Sequence, residues 1–163
     1  MTERAEFGQY VAERSTRLLR TAYLLCRDWA TAEDLVQTAL TKAWLAWGRI
    51  GADPDPYVYR ILANTHTSWW RRRWRGEVPT ERLPDLPAPP ADTVEDRDLL
   101  WDALGRLGRR ERAAVVLRYF ADLEHTAIAE ILGCSPGTVR GQISRALAKL
   151  RVDPAVAPVR ERI

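Results

Sequence analysis

Cysteine, histidine and long apolar runs are all scarce in this chain of 163 residues. The two cysteines, Cys26 and Cys134, belong to no C-x-x-C or H-x-x-x-C cluster, which leaves a disulfide framework or a zinc site without support. We expect both to be buried thiols. The only histidines, His66 and His125, stand at no spacing that pairs them with a nucleophile, so surface or capping roles are favoured over catalysis. The sequence therefore predicts no enzyme, no cofactor and no metal site.

The apolar runs are equally limited. The longest one near the N-terminus, residues 22–26, follows Arg20 and is far too short for a signal peptide core or a membrane span. We therefore expect a cytoplasmic protein without a membrane partner.

What the chain does contain is typical of a globular protein, with 46% hydrophobic and 29% charged residues. The formal net charge is only +3, but Lys42 and Lys149 are the only lysines among the 25 basic residues, and all the others are arginine. The planar guanidinium suits phosphates, carboxylates and aromatic faces, so the positions of the arginines bear on function.

A proline-rich segment divides the chain. Residues 76–94 hold five of the 10 prolines and show neither an aromatic residue nor a helical period. We interpret them as a stiff tether, because structureless loops of this length are uncommon within one compact domain. The pattern on either side is helical, so the predicted fold class is all-α. It has two small helical domains, 1–75 and 95–151, and a short tail, 152–163.

Three helices are predicted in the first domain. Apolar residues at steps of three and four define the first; they are Val11, Leu18, Leu19, Ala22, Leu25, Cys26 and Trp29. The second is predicted over 31–47, with a capping box formed by Thr31 and Asp34. Its apolar stripe is Val36, Ala39, Leu40, Ala43, Trp44 and Trp47. The third runs from Tyr57 through Arg75, with Val58, Ile61, Leu62, Thr65 and Trp69 along one side.

The second helix also presents a mixed outer face, formed by Asp34, Gln37, Thr38, Thr41 and Leu45. This face is too polar for a core and suits the docking of a partner helix, although periodicity alone favours plain solvent exposure.

The end of the third helix combines residue types that are rarely found together. The segment TSWWRRRWRG, residues 67–76, contains three tryptophans and four arginines. A core would accept the indoles but not the guanidinium groups. A solvated face would accept the guanidinium groups but rarely three indoles. The segment therefore predicts a surface that contacts both an aromatic partner and an anionic one.

Four helices are predicted in the second domain. Apolar residues mark the first three of them. The first helix has Leu99, Leu100, Ala103, Leu104 and Leu107, the second has Val116, Leu117, Phe120 and Leu123, and the third has Ala127, Ile128, Ile131 and Leu132. After Gly133, Ser135 can cap a last helix that has Pro136 at its first position. Two helices joined by a short turn that contains glycine are typical of the helix-turn-helix.

The last helix is predicted to have one apolar and one basic face. Val139, Ile143, Ala146, Leu147 and Leu150 gather on one side. The opposite side carries Thr138, Gly141, Ser144, Arg145, Ala148 and Lys149, with Arg140 and Gln142 flanking it. Small residues permit close approach to a DNA groove, and an arginine can bind guanine with two hydrogen bonds. A merely solvated helix would explain the charges but not the glycine and serine in the middle of the face.

Four segments, in chain order, resemble the extracytoplasmic-function (group 4) sigma factors of bacterial RNA polymerase, and among them the sigma-E-like subfamily of actinobacteria. They are AEDLVQTALTKAW, YVYRILANTHTSWWRRR, the proline-rich tether, and VVLRYFADLEHTAIAEILGCSPGTVRGQISRALAKLR. The resemblance covers roughly residues 7–151, and four ordered motifs are more specific than a lone helix-turn-helix.

The resemblance implies a sigma factor that directs core RNA polymerase to promoters and helps to open them. The first domain would be sigma-2, which binds the clamp helices of the largest polymerase subunit and opens the minus-10 element. The second would be sigma-4, which reads the minus-35 element and rests on the beta flap. Core RNA polymerase and promoter DNA are the implied partners; whether an anti-sigma factor holds the protein stays open.

Site residues carry over motif by motif. The core-polymerase contacts would be Asp34, Gln37, Thr38 and Thr41. The minus-10 contacts would be Asn64, near the pocket for a flipped base, with Trp70, Arg71, Arg72, Arg73, Trp74 and Arg75. The minus-35 contacts would be Thr138, Arg140, Gly141, Ser144, Arg145 and Lys149. Opened DNA offers unstacked bases beside phosphates, which matches the arginine–tryptophan segment. We assign Trp69 to the core; without the resemblance, Asn64 could equally cap a helix boundary.

Two positions depart from the common family pattern. Glu124 stands where many relatives have a serine that starts a helix, so the cap of that helix is in doubt. Gly141 stands where many have a serine in the last helix, and its loss could alter the preferred minus-35 sequence.

Two other functions compete with the sigma-factor interpretation. A stand-alone helix-turn-helix repressor or activator would explain residues 97–151 but leave the arginine–tryptophan segment without a role. A metal-dependent nuclease could use Glu33 and Asp34, but these acids open a helix, where they favour the helix dipole, and no third acid completes a site.

Overall fold

The structure is a computed structural model that describes residues 2–74 and 95–154, except for the side chains of 73, 74 and 95–98. All regular structure in these ranges is helical, so the predicted all-α class is confirmed. The chain divides into two compact units, Met1–Leu86 and Pro87–Ile163. The boundary, the predicted tether and most of the predicted tail lie outside the described residues.

The described part of the first unit contains three α-helices and one 3-10 turn. The helices are α1 (Glu3–Cys26), α2 (Trp29–Leu45) and α3 (Asp55–Trp74), and the turn is Trp47–Arg49. Helix α2 packs against both of the others. The three helices bury an apolar core whose largest fully buried side chains are Tyr59, Leu18, Leu24, Leu35 and Leu62.

The start of α2 differs from the prediction. Its N-cap is Asp28, whose carboxylate accepts a hydrogen bond from the Thr31 backbone N–H at 2.9 Å. The capping box assigned to Thr31 and Asp34 is therefore wrong, and Trp29 begins α2 rather than ending α1. Trp29 had matched the α1 stripe because it stands three positions after Cys26. Its ring stacks on Tyr23 of α1, with centroids 4.0 Å apart. Arg27 breaks the helix between them in a left-handed conformation, with φ of 63°.

The end of α2 is also earlier than predicted. The apolar stripe is buried through Ala43, but α2 ends at Leu45 and Trp47 lies in the 3-10 turn. Trp44 is 41% exposed. Both indoles pack on Phe7 of α1, each with a centroid distance of 5.1 Å. Neither indole is buried in the core of the first unit.

A polar contact joins α1 to the start of α3. The Tyr10 hydroxyl donates to Asp55 Oδ1 at 2.8 Å, and Arg14 Nε lies 3.5 Å from Asp55 Oδ2. Burial and then the hydrogen bond to Asp55 raise the pKa of Tyr10 far above its ordinary value. Burial likewise raises the pKa of Tyr59 in the core. Both phenols therefore stay neutral in the folded protein.

The second unit contains the four predicted helices. They are α4 (Glu95–Arg106), α5 (Arg109–Tyr119), α6 (His125–Leu132) and α7 (Pro136–Val152). Helix α7 packs against α5 and α6. Arg106 at the end of α4 pairs with Asp153, Nη2 to Oδ2 at 2.9 Å, so the first residues after α7 are held against α4.

The turn between α6 and α7 follows from local sequence. Gly133 ends α6 with φ of 71°, a left-handed conformation in which a side chain is strained. Ser135 then caps α7 as predicted, and its hydroxyl accepts from the Thr138 backbone N–H at 3.1 Å. Glu124 precedes α6 without a side-chain capping bond. The two cysteines are half-buried rather than buried.

Candidate functional site

Helix α7 presents the predicted two faces. Val139, Ile143, Ala146 and Leu150 are buried. The exposed side carries Thr138, Arg140, Ser144, Arg145 and Lys149, and Gly141 lies half-exposed among them. The Ser135 cap satisfies the Thr138 N–H, and capping with Pro136 in the first turn fixes where the face begins. The result is one small, polar and basic surface along the length of the helix.

Gln142 was predicted to flank this surface but is only 6% exposed. Because α7 packs against both α5 and α6, its buried sector is wider than an angle drawn from the apolar residues alone. The Gln142 Oε1 atom has no hydrogen-bond partner in the described part of the chain.

Two of the predicted DNA contacts share an acidic partner that the sequence analysis missed. Glu111 of α5 lies beside Lys149, with Nζ 2.8 Å from Oε2 and 3.1 Å from Oε1. The Arg145 Nε atom is 3.9 Å from Glu111 Oε1. No local pattern could have shown this carboxylate, since it belongs to another helix, 38 residues before Lys149.

Gly141 gives Arg145 the space that it occupies. A Cβ atom on Gly141 would lie 3.3 Å from Arg145 Nη1, closer than most side-chain contacts. The Arg145 side chain therefore runs back along α7 toward its N-terminus, over the bare backbone of the residue four positions earlier. The departure from serine at 141 thus directly affects where the guanidinium lies.

Helix α3 places part of the predicted minus-10 group on one outward face. Asn64 and Arg71 are exposed and stand seven positions apart, two helical turns along the same side. Tyr57, which is 41% exposed, and the exposed Arg60 share that face, and the sequence analysis missed both. The seven-residue spacing from Tyr57 to Asn64 and on to Arg71 was the signal for Tyr57, and the four-residue spacing from Arg60 to Asn64 was the signal for Arg60.

The two tryptophans described near the end of α3 are neither fully buried nor fully exposed. Trp69 and Trp70 are both half-buried, and Arg72 is exposed. The side chains of Arg73 and Trp74, and the whole of Arg75, lie outside the described residues.

The outer face of α2 has the predicted mixture. Asp34, Gln37 and Thr41 are exposed, and Thr38 is half-exposed. Leu45, at the end of this face, is 77% exposed. Beside it a shallow groove between α1 and α2 is lined by six apolar side chains together with Ser15, Glu33, Gln37 and Thr41. An apolar groove edged by polar groups is a surface that a partner helix can occupy.

In the ranges 2–74 and 95–154, no helix is both long enough and apolar enough to cross a lipid bilayer. In the same part of the chain, no three His, Cys, Asp or Glu side chains group together in a way that could hold a metal ion.

Two family models match the chain in order. Sigma-70 region 2 matches residues 11–76, and Sigma-70 region 4 matches residues 97–150. The RNA polymerase sigma-E factor of Streptomyces coelicolor is 43% identical over 154 residues, a match that covers 93% of this chain and 87% of the relative. The chain belongs to the sigma-70 family of RNA polymerase sigma factors.

Further relatives locate this sigma factor within the family. The sigma-E factor of Streptomyces avermitilis is 45% identical over 152 residues, covering 90% of this chain and 83% of the relative. The extracytoplasmic-function sigma factor SigL of Mycobacterium tuberculosis is 30% identical over 148 residues, covering 86% and 84%. The resemblance to the sigma-E-like group is thereby confirmed.

Solved structures agree with this placement. The sigma factor RpoE of Bartonella quintana, crystallised with the anti-sigma factor NepR, is similar with a TM-score of 0.65 and 29% identity, covering 91% of this chain and 98% of that one. CnrH, in complex with the cytosolic domain of CnrY, is similar with a TM-score of 0.56 and 26% identity, covering 90% and 85%.

Proposed function

We propose that this sigma factor directs core RNA polymerase to specific promoters and helps to open them, with the work divided between its two units. The observation that carries the proposal is the pairing, on one chain, of a polar face with an apolar groove in the region-2 unit and a capped basic helix in the region-4 unit. A stand-alone helix-turn-helix regulator needs only the second of these. The proposed role needs no catalytic residue, and it requires a cytoplasmic location because the polymerase acts there.

The minus-35 element is assigned to α7. Its exposed face is basic and lacks large side chains at Gly141 and Ser144, which permits close approach to the major groove. The N-terminus of α7 is the positive end of the helix dipole, which favours a phosphate. Arg140 and Arg145 are the residues proposed to contact this element most directly, with Thr138 and Lys149 beside them.

The minus-10 element is assigned to the outward face of α3 and its C-terminal end. Asn64 and Arg71 supply an amide that can bind a base edge and a cation that can bind a phosphate. Tyr57 and Arg60 extend this surface by nearly two turns. We place Trp70, Arg72, Arg73, Trp74 and Arg75 in the same interface, where indoles would stack on unpaired bases.

Core polymerase is assigned to the outer face of α2. Asp34, Gln37, Thr38 and Thr41 would contact the clamp helices, and the apolar groove beside them would receive side chains from the same partner. The region-4 unit would rest on the beta flap. Because the similar RpoE and CnrH structures are complexes with NepR and CnrY, an anti-sigma factor is a further proposed partner.

The test is co-purification with core RNA polymerase, followed by run-off transcription from a promoter selected by the holoenzyme. We expect the intact chain to bind and to start transcription at one position. A variant with Asp34, Gln37 and Thr41 changed to alanine should lose at least tenfold in transcription at limiting sigma concentration. The matched control changes Arg4 and Thr16, exposed residues of α1, and should behave like the intact chain.

Failure to bind core polymerase, combined with repression or activation of a promoter by the chain alone, would replace this proposal with the stand-alone regulator.

A further inference from the structure

The carboxylate of Glu111 lies at the edge of the basic face of α7 and opposes its charge. Its side chain is only 16% exposed, whereas those of Lys149 and Arg145 are 58% and 61% exposed. Glu111 is the third residue of α5, where the positive end of the helix dipole favours an acid. The carboxylate is therefore held in place, and the two cations are the groups that can move.

Glu111 engages its two neighbours unequally. Lys149 Nζ contacts both carboxylate oxygens, at 2.8 and 3.1 Å, which is direct hydrogen bonding. Arg145 Nε lies at 3.9 Å, beyond hydrogen-bond distance. Because the Arg145 guanidinium passes over Gly141, its Nη atoms lie toward the N-terminal half of the exposed face rather than on Glu111. Glu111 therefore pairs directly with the Lys149 ammonium group, and the two Nη atoms of Arg145 do not contact Glu111.

This difference has a consequence for DNA binding. A lysine offers a phosphate a point charge, whereas arginine can bind a base with two parallel hydrogen bonds. A cation that is already neutralised by a carboxylate releases less counterion when it meets a phosphate, so it adds less to binding of any sequence.

We propose that Glu111 limits the sequence-independent part of DNA binding: it keeps Lys149 from DNA phosphates and so weakens binding of α7 to duplex of any sequence, while Arg145 remains available to a base. This proposal rests on the assignment of α7 to promoter DNA.

The experiment measures binding of the full chain to two labelled duplexes, one with the selected minus-35 element and one of scrambled sequence, by fluorescence anisotropy over a salt series. For E111Q we expect tighter binding to both duplexes. The plot of log affinity against log salt should steepen by about 0.9, the value for one added phosphate contact. From 50 to 200 mM salt, the affinity of the variant should then fall about 3.5-fold further than that of the intact chain.

The same assay, with Lys149 changed, tests whether Glu111 acts by pairing with Lys149 or only by packing in the fold. In the intact background, K149Q should change the salt slope by much less than 0.9, since the ammonium is already paired. In the E111Q background, K149Q should remove the whole gain. The K149Q measurement in the intact background does not depend on how well E111Q folds. A full loss of about 0.9 in slope from K149Q alone would overturn the proposal. An unchanged slope in E111Q would also overturn it.

Arg140 distinguishes this proposal from the one on which it rests. It is exposed on the same face and forms no ion pair with any residue that the structure describes. R140Q should therefore reduce the slope by about 0.9. If R140Q does so and E111Q has no effect, only the role of Glu111 is wrong. If neither variant has an effect, α7 does not bind duplex DNA and both proposals are wrong.

Discussion

At the scale of single residues, the two proposed base contacts have different chemistry and lie in different units. Arg145 presents fixed donors that match the two acceptors of guanine in the major groove. Asn64 presents one acceptor and two donors, which suits the edge of a base that has left the helix. Both side chains are exposed, so each can meet DNA without a change in its own helix.

We therefore expect R145A and N64A to change sequence preference at two separate promoter positions. Loss of a bidentate contact should reduce discrimination at the minus-35 position by about 1 to 3 kcal/mol. The measurement is selection from a randomised promoter library with each variant on core polymerase. D102A, at an exposed site on α4, is the control and should keep every preference.

Uniform loss of activity, with all preferred bases retained, would mean that the residue positions or folds the protein and does not read a base.

At the scale of elements, the hydrogen bond from Tyr10 to Asp55 links the middle of α1 to the first turn of α3. Asp55 also pairs with Arg14. It stands in the first turn of α3, where the positive end of the helix dipole stabilises its negative charge. The contact therefore helps to hold α3, the helix that carries Asn64, against α1.

Y10F should lower the free energy of unfolding by about 1 to 3 kcal/mol, since it removes a hydrogen bond to a charged group. Urea unfolding followed by tryptophan fluorescence measures it. Y57F, the same change at an exposed tyrosine of α3, should cost little. Equal effects of the two changes would show that the Tyr10 hydroxyl does not tie the helices together.

The raised pKa of Tyr10 adds a pH dependence to that prediction. A folded-state pKa above the unfolded value means that the unfolded chain loses its proton first as pH rises. The contribution of Tyr10 to stability should therefore be constant below about pH 10, where unfolded tyrosine ionises, and fall above it. The decline should be smaller in Y10F.

At the scale of the whole molecule, each chain supplies one recognition helix. Dimeric helix-turn-helix proteins gain affinity from two half-sites, which a single α7 does not offer. We therefore expect the purified chain to bind promoter duplex weakly, in the range of non-specific binding, and to become specific only with core polymerase. A gel shift with promoter and scrambled duplex, with and without core polymerase, measures this. Tight promoter-specific binding by the chain alone would contradict it.

The sequence by itself determined which segments are helical and which face of each is buried. Three- and four-residue steps of apolar side chains predicted α3 and all four helices of the second unit, because that spacing is a property of the helix alone. The cap at Ser135 was predictable for the same reason, since its partner is three residues away. The family followed from three such helical segments and the proline-rich tether, in order.

Where two helices meet, local spacing was insufficient. Trp29 matched the period of α1 but belongs to α2, because Arg27 ends α1 in a left-handed conformation and Asp28 caps a new helix. Gln142 lay at the predicted edge of the exposed face and is buried, because two helices rather than one cover α7.

The charge state of the basic face was decided by tertiary structure alone. The residues that supply the face were predictable one helix at a time, but Glu111 comes from α5 and meets Lys149 only when α5 packs on α7. Ion pairs act through space and not along the chain, so a partner 38 residues away leaves no periodic trace in the sequence. Packing therefore fixes which of the predicted cations are free to meet DNA.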